Sequence, residues 1–210
     1  MDIAIVLYDR FTALDAIGPY EVLSRLPGAH VTFAAAEAGP VRTDNGMLTV
    51  IAQSAVRELE APEVLLVPGG PGEVAARAGG EVLEWLAGTG RQAGWVTSVC
   101  TGSLVLAAAG LLQGVRATSH WLAMAELAGL GAQPVEERVV FDGRIVTAAG
   151  VSAGIDMALA LAERIAGREV AQAIQLGIEY DPQPPFDAGS PRTAPEAIVA
   201  ALRSRSRFAA

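Results

Sequence analysis

The 210-residue chain is 51% hydrophobic and 18% charged, with 23 Asp and Glu against 15 basic residues, all of them Arg, for a net charge of −8. That composition excludes a disordered chain, leaves room for a large core in one domain over 1–210, and argues against nucleic acid or an anionic membrane as the main partner. One cysteine and two histidines permit no intramolecular disulfide and no four-ligand Cys/His zinc pattern, and the N-terminal M-D-I-A-I-V-L-Y-D-R has no basic leader and too short an apolar run for a signal or a membrane span, so a reducing cytoplasm is expected.

The first apolar run, Ile3 to Tyr8, has strand length and branched side chains. A helical pattern follows from about Asp15 to Leu26, where Pro19 is tolerable only in the first turn. A second strand is expected over His30–Ala36. D-N-G within Val41–Ile51 signals a hairpin. Val64–Val67 is wholly apolar and ends in P-G-G-P-G. An amphipathic helix is expected over Glu81–Gln92 and a buried strand over Gly94–Val99. Gly102–Ala109 is helical and closed by Gly110. A short helix spans Trp121–Leu127. Arg138–Phe141 and Arg144–Ala148 flank D-G as a second hairpin. Helices are expected over Ser152–Ala166 and Arg168–Tyr180. The irregular D-P-Q-P-P-F-D-A-G-S-P precedes a last helix over Ala194–Arg203. R-S-R-S-R at 203–207 reads as a short solvated basic tail.

Strands that alternate with helices and are apolar on both faces imply a parallel sheet covered on each side. No repeat or long linker divides the chain. In such sheets the reactive site lies beyond the carboxyl ends of the central strands. Asp15, Gly69-Gly70 and Cys100 each follow one of those strands.

Cys100 stands where an apolar strand gives way at once to a helix, in S-V-C-T-G. Small residues two before and two after, Ser98 and Gly102, fit a nucleophile elbow. Free N–H groups at the helix start favour a thiolate over a thiol, and the thiolate is the nucleophile. The Thr101 amide is placed to hold developing negative charge, and the Gly70 amide is a second candidate. A lone cysteine at a strand end also serves as a small buried hydrophobe. Asp15, just before Pro19, equally suits a helix-opening role. P-G-G-P-G is no phosphate loop, since no Gly-Lys-Ser/Thr follows.

These segments resemble the ThiJ/PfpI superfamily over nearly the whole chain. The resemblance rests on L-D-A-I-G-P-Y-E-V-L at 14–23, V-P-G-G-P-G at 67–72, V-T-S-V-C-T-G-S-L-V-L at 96–106, A-T-S-H-W at 117–121 and A-A-G-V-S-A-G-I-D at 148–156. Within it, the isocyanide hydratase branch is similar in having Asp15, Thr101 and Y-D-P-Q-P-P-F-D-A-G-S-P at 180–191. The resemblance implies a flavodoxin-like three-layer α/β/α sandwich with a mostly parallel sheet and a cysteine nucleophile elbow. It implies a cofactor-free lyase, without metal, that hydrates a small isocyanide to an N-formamide through a Cys100 thioimidate. It also implies a homodimer in which the first helix packs at the interface.

On that basis Cys100, Asp15 and Thr101 are the expected catalytic residues. Asp15 is the expected acid and then base, with a hydroxyl contact from Thr101. One proton is expected to be shared by the pair, on Asp15 beside an ionised Cys100. Gly69, Gly70, Thr101, His120, Gly150 and Val151 are expected to bind substrate or oxyanion, with His120 as a wall of the site. Trp121 and Phe186 are further candidates for the lining, or for core or dimer packing, and His30 is expected to be structural. Relatives with other chemistry differ at telling positions. Peptidase-type members have His after the cysteine, glutaminases need a late His-x-Glu, and AraC-type regulators carry a DNA-binding domain for which 210 residues leave no room. Two alternatives stay open. One is another cysteine-dependent activity, of glyoxalase, deglycase or amidase type. The other is a non-enzymatic redox sensor in which Cys100 is oxidised to a sulfinic acid.

Overall fold

The computed structural model describes residues 1–208. The strands are β1 (Asp2–Val6), β2 (His30–Ala35), β3 (Gly39–Arg42), β4 (Thr49–Ala52), β5 (Ser54–Ala55), β6 (Val64–Val67), β7 (Trp95–Val99), β8 (Arg116–Ala117), β9 (Gln133–Pro134), β10 (Val139–Asp142) and β11 (Ile145–Ala148). The α-helices are α1 (Ala13–Leu23), α2 (Glu73–Ala78), α3 (Glu81–Thr89), α4 (Gly102–Ala108), α5 (Met124–Gly129), α6 (Ala153–Ala166), α7 (Arg168–Gly177) and α8 (Glu196–Ser204).

Seven strands form the central sheet in the order β10-β11-β7-β6-β1-β2-β5. Only β10 runs antiparallel, paired with β11 across the D-G turn. Every residue of β6 and β11 is buried, as continuous Val, Leu and Ile runs require in a sheet covered on both faces. Helix α1 packs on α6, and α6 on α7; α4 packs on α2, α3 and α5. The two groups cover opposite faces, which makes the α/β/α sandwich expected from the alternation. Leu65, Leu66, Val96, Leu104, Met157 and Leu161 fall in one core cluster spanning sheet and helices.

The sheet order explains where the site forms. From β1 the chain moves outward to β2 and β5, then returns to the other side of β1 for β6, β7 and β11. The β1–β6 boundary is therefore the switch point, where the connections leaving the strand tips diverge and open a crevice. Register pairs Val67 with Ser98 and Val99 with Ala148. Gly69, Cys100 and Gly150 thus leave the sheet side by side, with α1 arriving from β1.

Several local expectations needed correction. Pro19 lies in the interior of α1, past its first turn. The bond it cannot donate is the one to the Asp15 carbonyl, and α6 offsets that loss by close packing. A Cβ added at Gly154 would stand 3.0 Å from Pro19 Cγ, and one at Gly18 would stand 3.0 Å from Ile155 Cγ1. Trp121–Leu127 divides into a 3-10 turn at Trp121–Ala123 and α5. Helix α2 and the short pair β8–β9 carried too little periodicity to be foreseen. The basic tail is not wholly solvated, because Arg207 folds back onto the glycine loop after β6.

Candidate active site

Cys100 occupies the corner between β7 and α4 with φ 56, the left-handed region, which holds few non-glycine residues. Such a conformation persists only when its surroundings enforce it. Here the Cys100 N–H is shared by the Ala148 and Ala149 carbonyls at 3.0 and 2.9 Å. The Cys100 carbonyl accepts the Ser103 and Ser119 hydroxyls at 3.2 and 3.1 Å. The packing leaves no alternative on the helix side, since a Cβ at Gly102 would fall 2.1 Å from the Val67 carbonyl oxygen.

Asp15 sits in the first turn of α1 and is fully buried. Its Oδ2 accepts the Gly69 N–H at 2.9 Å. Its Oδ1 is buried with no hydrogen-bond partner, and the Cys100 side chain lies close enough for the two groups to act on each other's ionisation. Thr12, which opens the helix, turns its hydroxyl to Asp44 at 2.9 Å, so capping is not the work of Asp15.

Burial pushes the Asp15 pKa up to about 7; the Gly69 hydrogen bond and the Cys100 side chain pull it down, and the Asp44 charge adds to the rise. Burial also pushes the Cys100 thiol well above its usual range, with the Asp15 charge acting in the same sense. The Thr101 N–H, the Val151 N–H and the Thr101 hydroxyl all act on Cys100 in the opposite direction. Two groups raised together by burial keep a proton between them through neutral pH. The free thiolate expected from the helix start alone is therefore opposed by desolvation. Donors around the sulfur and a proton partner in Asp15 are what offset it.

The glycine loop holds both members of the pair. A Cβ at Gly69 would lie 2.5 Å from Thr101 N, 2.7 Å from Thr101 Oγ1 and 2.9 Å from Asp15 Oδ2. Gly70 has φ 132, and its N–H donates to Thr101 Oγ1 at 3.0 Å. That amide is thus taken up by Thr101, and the Thr101 hydroxyl engages Gly70 and Cys100 where a contact to Asp15 was expected. The Tyr8 hydroxyl fixes the preceding turn by donating to the Pro68 carbonyl at 2.6 Å.

Cys100, Asp15, Thr101, Gly69, Gly70 and Val151 therefore converge on one point. His120 and Gly150 form its half-buried rim, and a Cβ at Gly150 would stand 3.1 Å from His120 Cδ2. His120 Nδ1 accepts the Leu122 N–H at 3.3 Å, and burial and Arg207 push its pKa down, so the ring is neutral with its proton on Nε2. Cys100 is 6% exposed. Trp121 lies beyond the rim under Arg203, while Phe186 is 78% exposed and touches none of this. His30 is an exposed strand-start residue. Sequence reasoning missed Tyr8, Asp44, Glu73, Ser119 and Arg207, because none carries a local signal. Glu73 stands next to P-G-G-P-G, Ser119 inside A-T-S-H-W, Asp44 inside D-N-G and Arg207 at the end of R-S-R-S-R, but none of those motifs points to the partner that the residue meets.

Comparison with known proteins agrees with this architecture. Residues 1–164 match the DJ-1/PfpI family. An isonitrile hydratase of Pseudomonas putida is 44% identical over 206 residues, covering 98% of this chain and 90% of that protein. The HTH-type transcriptional regulator CdhR of Pseudomonas aeruginosa is 35% identical over 138 residues, covering 65% of this chain and 40% of the regulator. The crystal structure of a THiJ/PfpI family protein from Pseudomonas syringae superposes with a TM-score of 0.93 at 40% identity, covering 99% of this chain and 88% of that one.

Proposed function

The chain belongs to the DJ-1/PfpI family, and on that premise we propose that it is an isocyanide hydratase that adds water to R–NC to give R–NH–CHO. Full-length similarity to an isonitrile hydratase supports the substrate class. The observation that carries the chemistry is the buried Asp15 carboxyl group, with one oxygen tied to Gly69, the other without a partner, and Cys100 near enough for the two ionisations to be coupled.

The terminal carbon of an isocyanide accepts both a nucleophile and a proton. The Asp15 carboxylate takes the Cys100 thiol proton as the sulfur forms the C–S bond and passes it to the same carbon, which yields the thioimidate R–N=CH–S–Cys100. Asp15, again a carboxylate, removes a proton from water as the oxygen adds to that carbon. The nitrogen gains a proton, collapse of the adduct breaks the C–S bond, and Cys100 leaves with a proton returned to the pair. One water is consumed, and its two hydrogens end on nitrogen and on the Asp15–Cys100 pair that supplied the first proton. The Thr101 and Val151 N–H groups stabilise negative charge on sulfur as it attacks and as it leaves. His120 and Gly150 wall the substrate, with Gly69 and Gly70 setting the acid and Thr101.

A substrate panel tests this function. Purified protein is mixed with an aryl isocyanide and, in parallel, with methylglyoxal and with hydrogen peroxide. The expected result is formamide in catalytic amount from the isocyanide and none once Cys100 is replaced by Ala. Turnover of methylglyoxal with the isocyanide untouched would transfer the same residues to aldehyde chemistry. Stoichiometric oxidation of Cys100 with neither substrate consumed would make the protein a redox sensor.

A further inference from the structure

From the contacts of its guanidinium, we infer that Arg207, in the C-terminal segment, is a positioning residue that clamps the Gly69–Gly70 loop and so sets the geometry of the Asp15–Cys100 pair. Arg207 Nη2 donates to the Gly70 carbonyl at 3.3 Å and to Glu73 Oε1 at 3.1 Å. Glu73 is the first residue of α2 and has no exposed surface, whereas the Arg207 side chain is 37% exposed. A second arginine, Arg77, places Nε 2.9 Å from Glu73 Oε2 and reaches Glu126 of α5 with Nη1. A carboxylate is buried in this way only when cations accompany it. Glu73 is therefore the fixed post and Arg207 the arm that joins it to the loop.

The loop is the hydrogen-bonded link between the arm and the chemistry. Gly70 presents its carbonyl to Arg207 and its N–H to Thr101 Oγ1. Gly69 presents its carbonyl to the Thr12 N–H at 2.8 Å and its own N–H to Asp15 at 2.9 Å. A shift of this dipeptide by a few tenths of an ångström changes both amide bonds at once. Residues 203–208 are held in place by contacts of their own. Arg203 lies over the Trp121 ring at 5.7 Å, Phe208 is partly buried against the core, and Phe208 N–H bonds to Ser206. Arg207 does not touch Asp15 or Cys100, so its influence travels through the loop.

Two titratable groups face the pair directly, Tyr8 just beyond β1 and Asp44 from the β3–β4 hairpin, and Tyr8 in turn feels Glu73 of α2 and Arg207. His120, which feels Arg207, lies on the rim. None of these changes in Arg207→Lys, which keeps the charge and shortens the donor. Arg207→Ala removes both.

The experiment rests on the hydratase reading for one measurement and is independent of it for the other. The first measurement is kcat and KM for an aryl isocyanide. The second is the pH dependence of iodoacetamide alkylation of Cys100, the sole cysteine. In Arg207→Ala, kcat falls about tenfold while KM stays within about twofold, as loss of positioning rather than of binding requires. The alkylation midpoint rises by about one pH unit, because the amide bonds that hold down both groups are weakened. Arg207→Lys restores most of both. An unchanged kcat and midpoint in Arg207→Ala, whatever happens to its melting temperature, overturns the clamp. If the wild type leaves the isocyanide intact while Arg207→Ala still moves the midpoint, the clamp stands and the hydratase function falls.

Discussion

At the residue scale, burial keeps the Asp15 carboxyl group protonated well past its ordinary range. Asp15 titrates at about 7 in the folded protein, against an ordinary value of 3.8. Below pH 3.8 it is protonated whether the chain is folded or not. Between that value and about 7 the unfolded carboxyl has ionised and the native one has not, so stability falls as pH rises through this window and levels off above it. The difference amounts to about 4 kcal/mol. Asp15→Asn keeps an acceptor for the Gly69 N–H and removes the ionisation. Its melting temperature is therefore expected to exceed that of the wild type at about pH 8, with the gap closing toward about pH 4, while kcat falls by about a hundredfold or more. Calorimetry across pH beside isocyanide kinetics checks both. A helix-opening role for Asp15 would give a less stable and fully active variant.

At the element scale, the glycine loop and the strand-to-helix corner are one device, since each fills space that a side chain on the other would need. Gly69→Ala would press a methyl group against Thr101 and Asp15. It is expected to lower activity by about a hundredfold and stability by about 1–3 kcal/mol. Gly88, inside α3, has nothing within 4 Å of its Cβ position. Gly88→Ala is expected to stabilise by about 0.5–1 kcal/mol at unchanged turnover, which makes it the control in the same denaturation series. Much of this device was legible in the chain. Wholly apolar Val64–Val67 and the mostly apolar Trp95–Val99 read as buried parallel strands, and the Pro68-Gly69-Gly70 turn after the first and Cys100 after the second mark where the sheet ends. The position of Pro19 was misjudged because the start of α1 was. Ala13 and Leu14 carry no periodicity that distinguishes them from the turn.

At the scale of the whole molecule, what the sequence could not carry is contact between segments far apart in it. Asp15 meets Gly69 across 54 positions, and Arg207 meets Glu73 across 134. R-S-R-S-R has the composition of a solvated tail, and only the buried carboxylate of Glu73 gives its last arginine a destination. A groove of about 390 Å³ beside α1 and α6 is lined by Leu14, Ile17, Ile155 and Ile178. Leu14 is 41% exposed there. The homodimer that the family resemblance implies is expected to use this groove. Light scattering is expected to give twice the chain mass for the wild type and the single-chain mass for Leu14→Arg. Equal masses for the two proteins would move the interface elsewhere.

The most direct test of the central claim is intact-mass analysis of the protein during reaction with an aryl isocyanide. Asp15→Asn lacks both the acid that completes the thioimidate and the base that activates water, and is expected to form neither adduct nor formamide. Wild-type protein quenched in acid during turnover is expected to carry a species heavier by one isocyanide, mapped to Cys100, and to return to its starting mass once the substrate is consumed. Formamide produced at the wild-type rate by Cys100→Ala, with no adduct on any variant, would contradict a covalent route through this cysteine.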